Sequence, residues 1–163
     1  MFRNRLSPVF RPVSKLAKRQ SVSCYQIYDH DLPEFPLRIE MYDQWLYVAE
    51  YRRNHGMDET GHAQWLETSK SIMSEITGVP ISHILLRTRQ RKESRQDQYQ
   101  KLDDEQQFIV VEEQGLKFRI NLTDYLDTGL FRDHRVTRSR VREEASGKRV
   151  RSLFSYKGSV SGN

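Results

Sequence analysis

The sequence contains a single cysteine, Cys24, so it cannot form an internal disulfide. A chain without disulfides is typical of a reducing compartment, and we therefore expect a cytoplasmic protein. The first ten residues lack the apolar run of a secretory signal peptide. No apolar stretch approaches the roughly 20 residues that a helix needs to cross a bilayer. We expect a soluble protein with no membrane partner.

The sequence also lacks the common metal and nucleophile motifs. Its five histidines are scattered, and Cys24 has no second ligand at the spacing of a zinc site. No Gly-x-Ser-x-Gly elbow and no Walker phosphate loop occur. These absences remove the sequence support for a metal site, for a serine hydrolase and for a P-loop enzyme. We expect no metal.

Charge is unevenly distributed along the chain, which has a net charge of +5. Residues 1–19 carry +6, residues 87–101 carry +4 and residues 132–151 carry +5, whereas residues 20–86 carry −6 and residues 102–131 carry −5. Basic clusters on an otherwise acidic body favour a polyphosphate partner such as nucleic acid. Charge alone fits an ordinary solvated surface equally well.

The N-terminal residues 1–19 predict a basic helix, because their apolar residues recur at helical spacing. Ser7 is a candidate N-cap, with Pro8 in the first turn. Pro12 lacks an N–H group and clashes with the preceding turn. We therefore expect this helix to be kinked or to start late.

The remaining pattern predicts an α+β fold. Residues 58–77 form the strongest predicted helix, with Asp58 as N-cap and Gly78 as the C-terminal stop. The predicted strands cover 37–41, 45–51, 83–88 and the two arms of 108–122, with hairpin turns at Asp43-Gln44 and Gln114-Gly115. This order fits a small, mostly antiparallel sheet backed by one helix. A basic helix over 134–146 and a buried strand from about residue 150 then predict the start of a further α/β domain.

Two polar stretches are candidates for function. In residues 86–102, arginines can pair phosphates and a tyrosine can stack on a base, although a disordered charged loop is the alternative. The candidate RNA-binding residues are Arg87, Arg89, Arg91, Lys92, Tyr99 and Lys101. In residues 121–135, short polar side chains follow a buried strand and surround Tyr125 and Gly129. They either brace the next helix or line a pocket.

The segment "LTDYLDTGLFRDHR" (122–135), then a basic helix, then "LFSYKGSVS" (153–161), resembles the bacterial bifunctional 23S rRNA guanine methyltransferases. More narrowly, it is similar to their C-terminal, N7-guanine unit. The upstream segments "CYQIYDHDLPEFPLRIEMY", "WLYVAEY" and "LRTRQRK" are similar as well. The resemblance covers nearly the whole chain in order, which makes it far more specific than a single motif.

The resemblance implies S-adenosylmethionine (SAM) as cofactor, ribosomal RNA as partner, and a Rossmann-like domain preceded by a small RNA-holding subdomain. It divides the chain into a basic helix (1–19), an RNA-contacting subdomain (20–122) and the start of the methyltransferase domain (123–163). It also implies two groups of cofactor-binding residues. The pre-domain motif supplies Thr128, Gly129, Asp133 and Arg135, and the first SAM loop supplies Phe154, Tyr156, Gly158 and Ser159.

The sequence departs from the family pattern in two places. Lys157 stands where the family commonly has threonine, and the sequence ends at Asn163, just after the first SAM loop. We therefore expect a truncated methyltransferase domain that is inactive as this chain alone, with an exposed edge strand at 151–156 that invites a homodimer. The alternatives are a standalone RNA-binding module and a fragment of an rRNA cytosine-C5 methyltransferase.

Overall fold

The computed structural model describes residues 1–51, 56–89, 108–123, 128–130, 132–149 and 151. Among them it has three α-helices: α1 (Phe2–Arg19), α2 (Glu59–Thr77) and α3 (Arg135–Glu144). Its strands are β1 (Cys24–Asp29), β2 (Leu37–Tyr42), β3 (Trp45–Tyr51), β4 (Ile84–Arg89), β5 (Phe108–Glu113) and β6 (Leu116–Asn121). Single 3-10 turns at Ile81–His83 and Arg132–His134 precede β4 and α3.

Strands β1 to β4 form one mixed sheet in sequence order. β2 pairs antiparallel with β1 and β3, through a tight turn at which Asp43 has a φ of 56°. β4 pairs parallel with β3, because the chain crosses over through α2 before it returns to the sheet. The α+β class, the helix and the turn at Asp43-Gln44 are confirmed. β1 was not among the predicted strands.

β5 and β6 form a separate antiparallel hairpin. Gln114 and Gly115 at its turn have φ angles of 53° and 84°, the conformation that two-residue hairpin turns prefer. The hairpin packs on one face of the sheet, where Val111 and Ile120 join a buried cluster with Cys24. The predicted turn at Gln114-Gly115 is confirmed.

Two helices cover the other face of the sheet. Phe2 and Leu6 of α1 and Met73 of α2 are buried in one cluster with the apolar residues of β2 and β3. Burial of Phe2 and Leu6 holds the first turns of α1 in place, so the helix begins at Phe2 although Pro8 and Pro12 lie inside it. The prediction of a late start, with Ser7 as the N-cap, is therefore wrong. The sequence predicted one helix behind the sheet, whereas the structure has two, α1 and α2.

The α2 boundaries follow from its caps. The Asp58 carboxylate accepts a hydrogen bond from the Gly61 amide at 2.8 Å, and Gly78 ends the helix at a φ of 75°. In the described part of the chain, no helix is long and apolar enough to cross a membrane. The predicted strand from residue 150 lies outside the described residues, apart from Arg151.

Candidate functional site

A cleft of about 620 Å³ lies between the first three strands of the sheet and the segment that leads into α3. We call it the motif cleft, because all four residues assigned to the pre-domain motif line it. Its lining comprises Val13, Tyr25, Gln26, Arg38, Glu40, Tyr42, Tyr47, Thr128, Gly129, Leu130, Arg132, Asp133 and Arg135. The structure therefore brings Thr128, Gly129, Asp133 and Arg135 together.

Glu40 forms the centre of the polar network in the motif cleft. Arg38 Nε lies 2.8 Å from the buried Glu40 Oε1, and Arg132 pairs with the same oxygen. The Tyr42 hydroxyl donates to Glu40 Oε2 at 2.9 Å. The Gln26 side-chain oxygen accepts from both guanidinium groups at 3.3 Å. Side chains of β2 and of the motif segment thus meet at one carboxylate that faces two cations, and Gln26 connects β1 to the same guanidinium groups.

Tyr42 connects this network to the motif segment. Burial, reinforced by the nearby Glu40 carboxylate, strongly raises the pKa of the Tyr42 phenol, which therefore keeps its proton. The Tyr42 oxygen also lies 3.1 Å from Thr128 Oγ1. Because the Tyr42 hydroxyl donates its only proton to Glu40, the Thr128 hydroxyl is the donor in this second hydrogen bond. Tyr42, a residue of β2, therefore fixes the orientation of the Thr128 side chain.

Gly129 gives the segment its sharp bend. Its φ of 83° lies in the left-handed region, which side-chain-bearing residues rarely adopt. On one side of it, the Thr128 carbonyl accepts from the Asn121 amide at the end of β6. On the other side, Leu130 is buried with the apolar residues of the hairpin. This bend brings residues 128–130 back onto the sheet and directs the chain into α3.

A buried ion pair fastens α3 to the hairpin. Glu113, at the end of β5, accepts two hydrogen bonds of 2.8 Å from Arg138, and the side chains of both residues are almost fully buried. Arg135 Nε donates to the same carboxylate at 3.1 Å, and a terminal nitrogen of Arg135 donates to the Cys24 carbonyl. Burial, followed by the charge of Glu113, raises the pKa of the Cys24 thiol. Arg135 is therefore a structural anchor as well as a residue of the motif cleft.

The sequence interpretation missed the acidic partners of this site. Glu40 shares one face of β2 with Arg38 and Tyr42, and Glu113 shares one face of β5 with Val111. In an alternating strand, a carboxylate at an inward position needs a buried cation. Alternation therefore carried a signal for Glu113, whereas Glu40 lies on the face opposite the apolar residues of β2 and gave none.

The predicted RNA-binding residues lie mostly outside the described part of the chain. Arg87 is the exception: its half-buried guanidinium donates to the Thr123 carbonyl at 2.8 Å, so it also braces the loop after β6. The backbone of Arg89 ends β4. The side chain of Arg89, the residues Arg91, Lys92, Tyr99 and Lys101, and the SAM-loop residues Phe154, Tyr156, Gly158 and Ser159 lie outside the described residues. Their roles stay predictions.

The motif cleft fits the polar groups of SAM in part. Asp133 is exposed at its edge, and its only ion pair among the described residues is a long contact of 3.9 Å with His134. Such a carboxylate suits an ammonium or ribose hydroxyl group. The three arginines of the lining exceed its two carboxylates, so this wall suits an anionic group better than a sulfonium. Among the described residues, no group of three side chains can hold a metal ion.

Residues 65–163 match the family model of S-adenosylmethionine-dependent methyltransferases. The chain is 38% identical over 160 residues to the ribosomal RNA large subunit methyltransferase K/L of Magnetococcus marinus, and 41% identical over 160 residues to that of Pseudoalteromonas atlantica. Both alignments cover 98% of this chain but only 22% and 23% of the relatives, so the chain spans about a fifth of their length.

The fold is also similar to solved structures. The crystal structure of SMU.776 complexed with SAH matches with a TM-score of 0.66 and 18% identity. The match covers 98% of this chain and 40% of that chain. At this level of identity, the likeness supports the fold alone.

Proposed function

The chain belongs to the S-adenosylmethionine-dependent methyltransferase family, and we propose that it is the RNA-contacting part of a large-subunit rRNA methyltransferase, together with one wall of the cofactor site. The observation that carries this proposal is the motif cleft. The four pre-domain motif residues that the resemblance assigns to the cofactor pocket line it, and buried partners on the sheet and the hairpin hold Thr128 and Arg135 in place.

The proposed substrate is a guanine of 23S rRNA, with N7 as the methyl acceptor. N7 of guanine has a free lone pair, so the reaction needs no base to remove a proton. Catalysis then rests mainly on positioning of the two reactants. A base within a folded rRNA must also be exposed before it can react, which requires RNA contacts outside the reaction centre. We assign that task to this chain.

The proposed cofactor role of the motif segment is specific. SAM, when bound, supplies an electrophilic methyl group on its sulfonium. On the chain, the Asp133 carboxylate would accept hydrogen bonds from polar groups of the cofactor, and the bend at Gly129 would let the backbone approach it. Thr128 is oriented by Tyr42, and Arg135 holds the segment against Glu113. We propose Phe154, Tyr156, Gly158 and Ser159 as the opposite wall.

A SAM titration by calorimetry, run beside binding of a 23S rRNA hairpin, tests the proposal. We expect RNA binding that weakens steeply with salt. Where SAM binds as well, Asp133→Asn should weaken it, while the control Glu144→Gln on the exposed face of α3 should not. If the chain binds RNA but does not bind SAM, the proposed RNA-holding role stands and the proposed cofactor role is overturned. A chain that binds neither would overturn it.

A further inference from the structure

One face of α1 carries a row of exposed cations that has no structural task in the described part of the chain. Arg3 and Arg5, in the first turns, pair with Glu75 and Asp31. Further along the helix, Arg11, Lys15 and Lys18 are all exposed, and no described carboxylate pairs with them. We call these three residues the basic ridge.

The basic ridge is a continuous stripe. Residues 11, 15 and 18 follow the spacing at which side chains of a helix share one face. The buried residues Phe2, Leu6 and Ala17 lie on the opposite side of the same helix. The rise of an α-helix places neighbouring members of the ridge about 5 Å apart along the axis. Because α1 is packed against the sheet through its apolar face, the ridge is presented to solvent by a fixed support.

A second cleft, of about 420 Å³, lies beside the basic ridge, and we call it the ridge cleft. Lys18 and His83 contribute to its lining. The His83 ring stacks on Trp45 with ring centres 4.2 Å apart and planes 16° from parallel. Both rings are half-buried, so part of this aromatic pair faces solvent. Its lining also includes the exposed carboxylate of Asp43, in the turn between β2 and β3.

The ridge cleft and the motif cleft meet at one residue. Tyr25 of β1 lines both of them and is itself half-buried. A tyrosine is neutral at physiological pH, and desolvation raises the pKa of this phenol further. The side of α1 continues this connection, since Val13 lines the motif cleft and Ser14 lines the ridge cleft. The two clefts therefore adjoin, with Tyr25 as a wall that they share.

We propose that the basic ridge, the ridge cleft and Tyr25 form a groove that binds an unpaired RNA strand and leads it to the motif cleft. This inference rests on the proposed function and adds to it the binding surface and the form of RNA. A row of cations neutralises successive phosphates, while aromatic faces at the floor of a groove receive unstacked bases. The aromatic residues favour a single strand over a duplex, whose bases are already stacked and paired.

The test is fluorescence anisotropy of the full chain with a short, labelled, single-stranded RNA at about 50 mM and about 300 mM salt. The ridge variant is Arg11→Ala/Lys15→Ala/Lys18→Ala. The matched control is Lys117→Ala/Arg140→Ala/Lys148→Ala, which removes the same charge from exposed positions outside both clefts. Alanine is a strong helix former, so the ridge variant should keep its fold, and circular dichroism checks this.

We expect the ridge variant to bind at least about tenfold more weakly at the lower salt, with the salt slope reduced by about 2, while the control changes little. Tyr25→Ala should weaken binding severalfold, and Tyr25→Phe should restore it, because stacking needs the ring and not the hydroxyl. Equal losses in the ridge variant and the control would overturn the groove and leave the proposed function intact. A preference for duplex RNA over the single strand would also overturn it. Absence of RNA binding by the unmodified chain would overturn both.

Discussion

Replacement of Glu113 by glutamine should destabilise the protein far more than the loss of an ordinary ion pair. Glu113 is 2% exposed, and its carboxylate accepts from Arg138 twice at 2.8 Å and from Arg135 once at 3.1 Å. The substitution keeps the size of the side chain and removes its charge. It therefore takes away the charged acceptor of two hydrogen bonds from the guanidinium of Arg138, whose side chain is 1% exposed.

Breaking a buried pair by removing one partner costs about 3–5 kcal/mol. We expect a value near 3 kcal/mol, because Arg135 keeps its bond to the Cys24 carbonyl and its side chain is 22% exposed. For a small domain with a urea m-value of about 2 kcal/mol per molar, this loss lowers the unfolding midpoint by about 1.5 M. Such a loss is a large part of the 5–15 kcal/mol that is typical of whole domains.

The assay is equilibrium urea unfolding of the unmodified chain and three variants. Glu75→Gln serves as the control, because it breaks the Arg3–Glu75 pair, in which both side chains are more than half exposed. Exposed pairs contribute about 0–1 kcal/mol, so this variant should unfold close to the unmodified chain. Glu113→Gln/Arg138→Met should recover most of the stability, since it removes the buried cation together with the carboxylate charge that it pairs with. A Glu113→Gln midpoint no lower than that of the control would refute the reasoning.

Three further predictions concern other parts of the fold. Because burial raises the pKa of the Cys24 thiol and of the Tyr42 phenol, the folded chain keeps protons that the unfolded chain releases. The free energy of unfolding should therefore fall as pH rises above about 8.5, and again above about 10. Cys24→Ala should remove the first of these two decreases. A free energy of unfolding that stays constant over this pH range would contradict the prediction. Tyr42→Phe should cost about 1–3 kcal/mol in urea unfolding, because it leaves buried oxygens of Glu40 and Thr128 without their bonds. Asp58→Ala should cost about 1 kcal/mol by the same assay, whereas Asp58→Asn, which keeps a capping oxygen, should cost much less.

Local signals allowed much of the fold to be predicted from the sequence. α2 has a cap at Asp58 and a stop at Gly78, and the hairpin turn at Gln114-Gly115 is a short polar break between alternating strands. These features depend on residues that are close in the sequence. Their predicted boundaries therefore agree with the structure to within about one residue.

The errors arose where tertiary packing decides the structure. Helix α1 tolerates Pro8 and Pro12 because Phe2 and Leu6 are buried against a sheet that the local sequence does not reveal. Strand β1 is buried on both faces, between the helices and the hairpin, so it shows no clean alternation of apolar and polar residues.

Only the motif segment of the candidate site could be predicted from the sequence. The residues of the motif segment are contiguous in the sequence, and the resemblance identified them. Their partners Glu40 and Glu113 lie on distant strands, 92 and 25 positions away from Arg132 and Arg138, respectively. Pairs at such separations are set by the register of the strands and by the crossing of the hairpin over the sheet. Neither can be read from a local motif.

We propose that this chain holds ribosomal RNA for a methyltransferase, and a competition binding measurement tests this proposal most directly. The full chain would be titrated with a labelled fragment of 23S rRNA in the presence of increasing unlabelled 23S rRNA fragment or unlabelled transfer RNA of equal length. We expect binding to weaken steeply with salt, and the 23S fragment to displace the label at a lower concentration than transfer RNA does. Equal displacement by the two RNAs, or no binding to either, would contradict it.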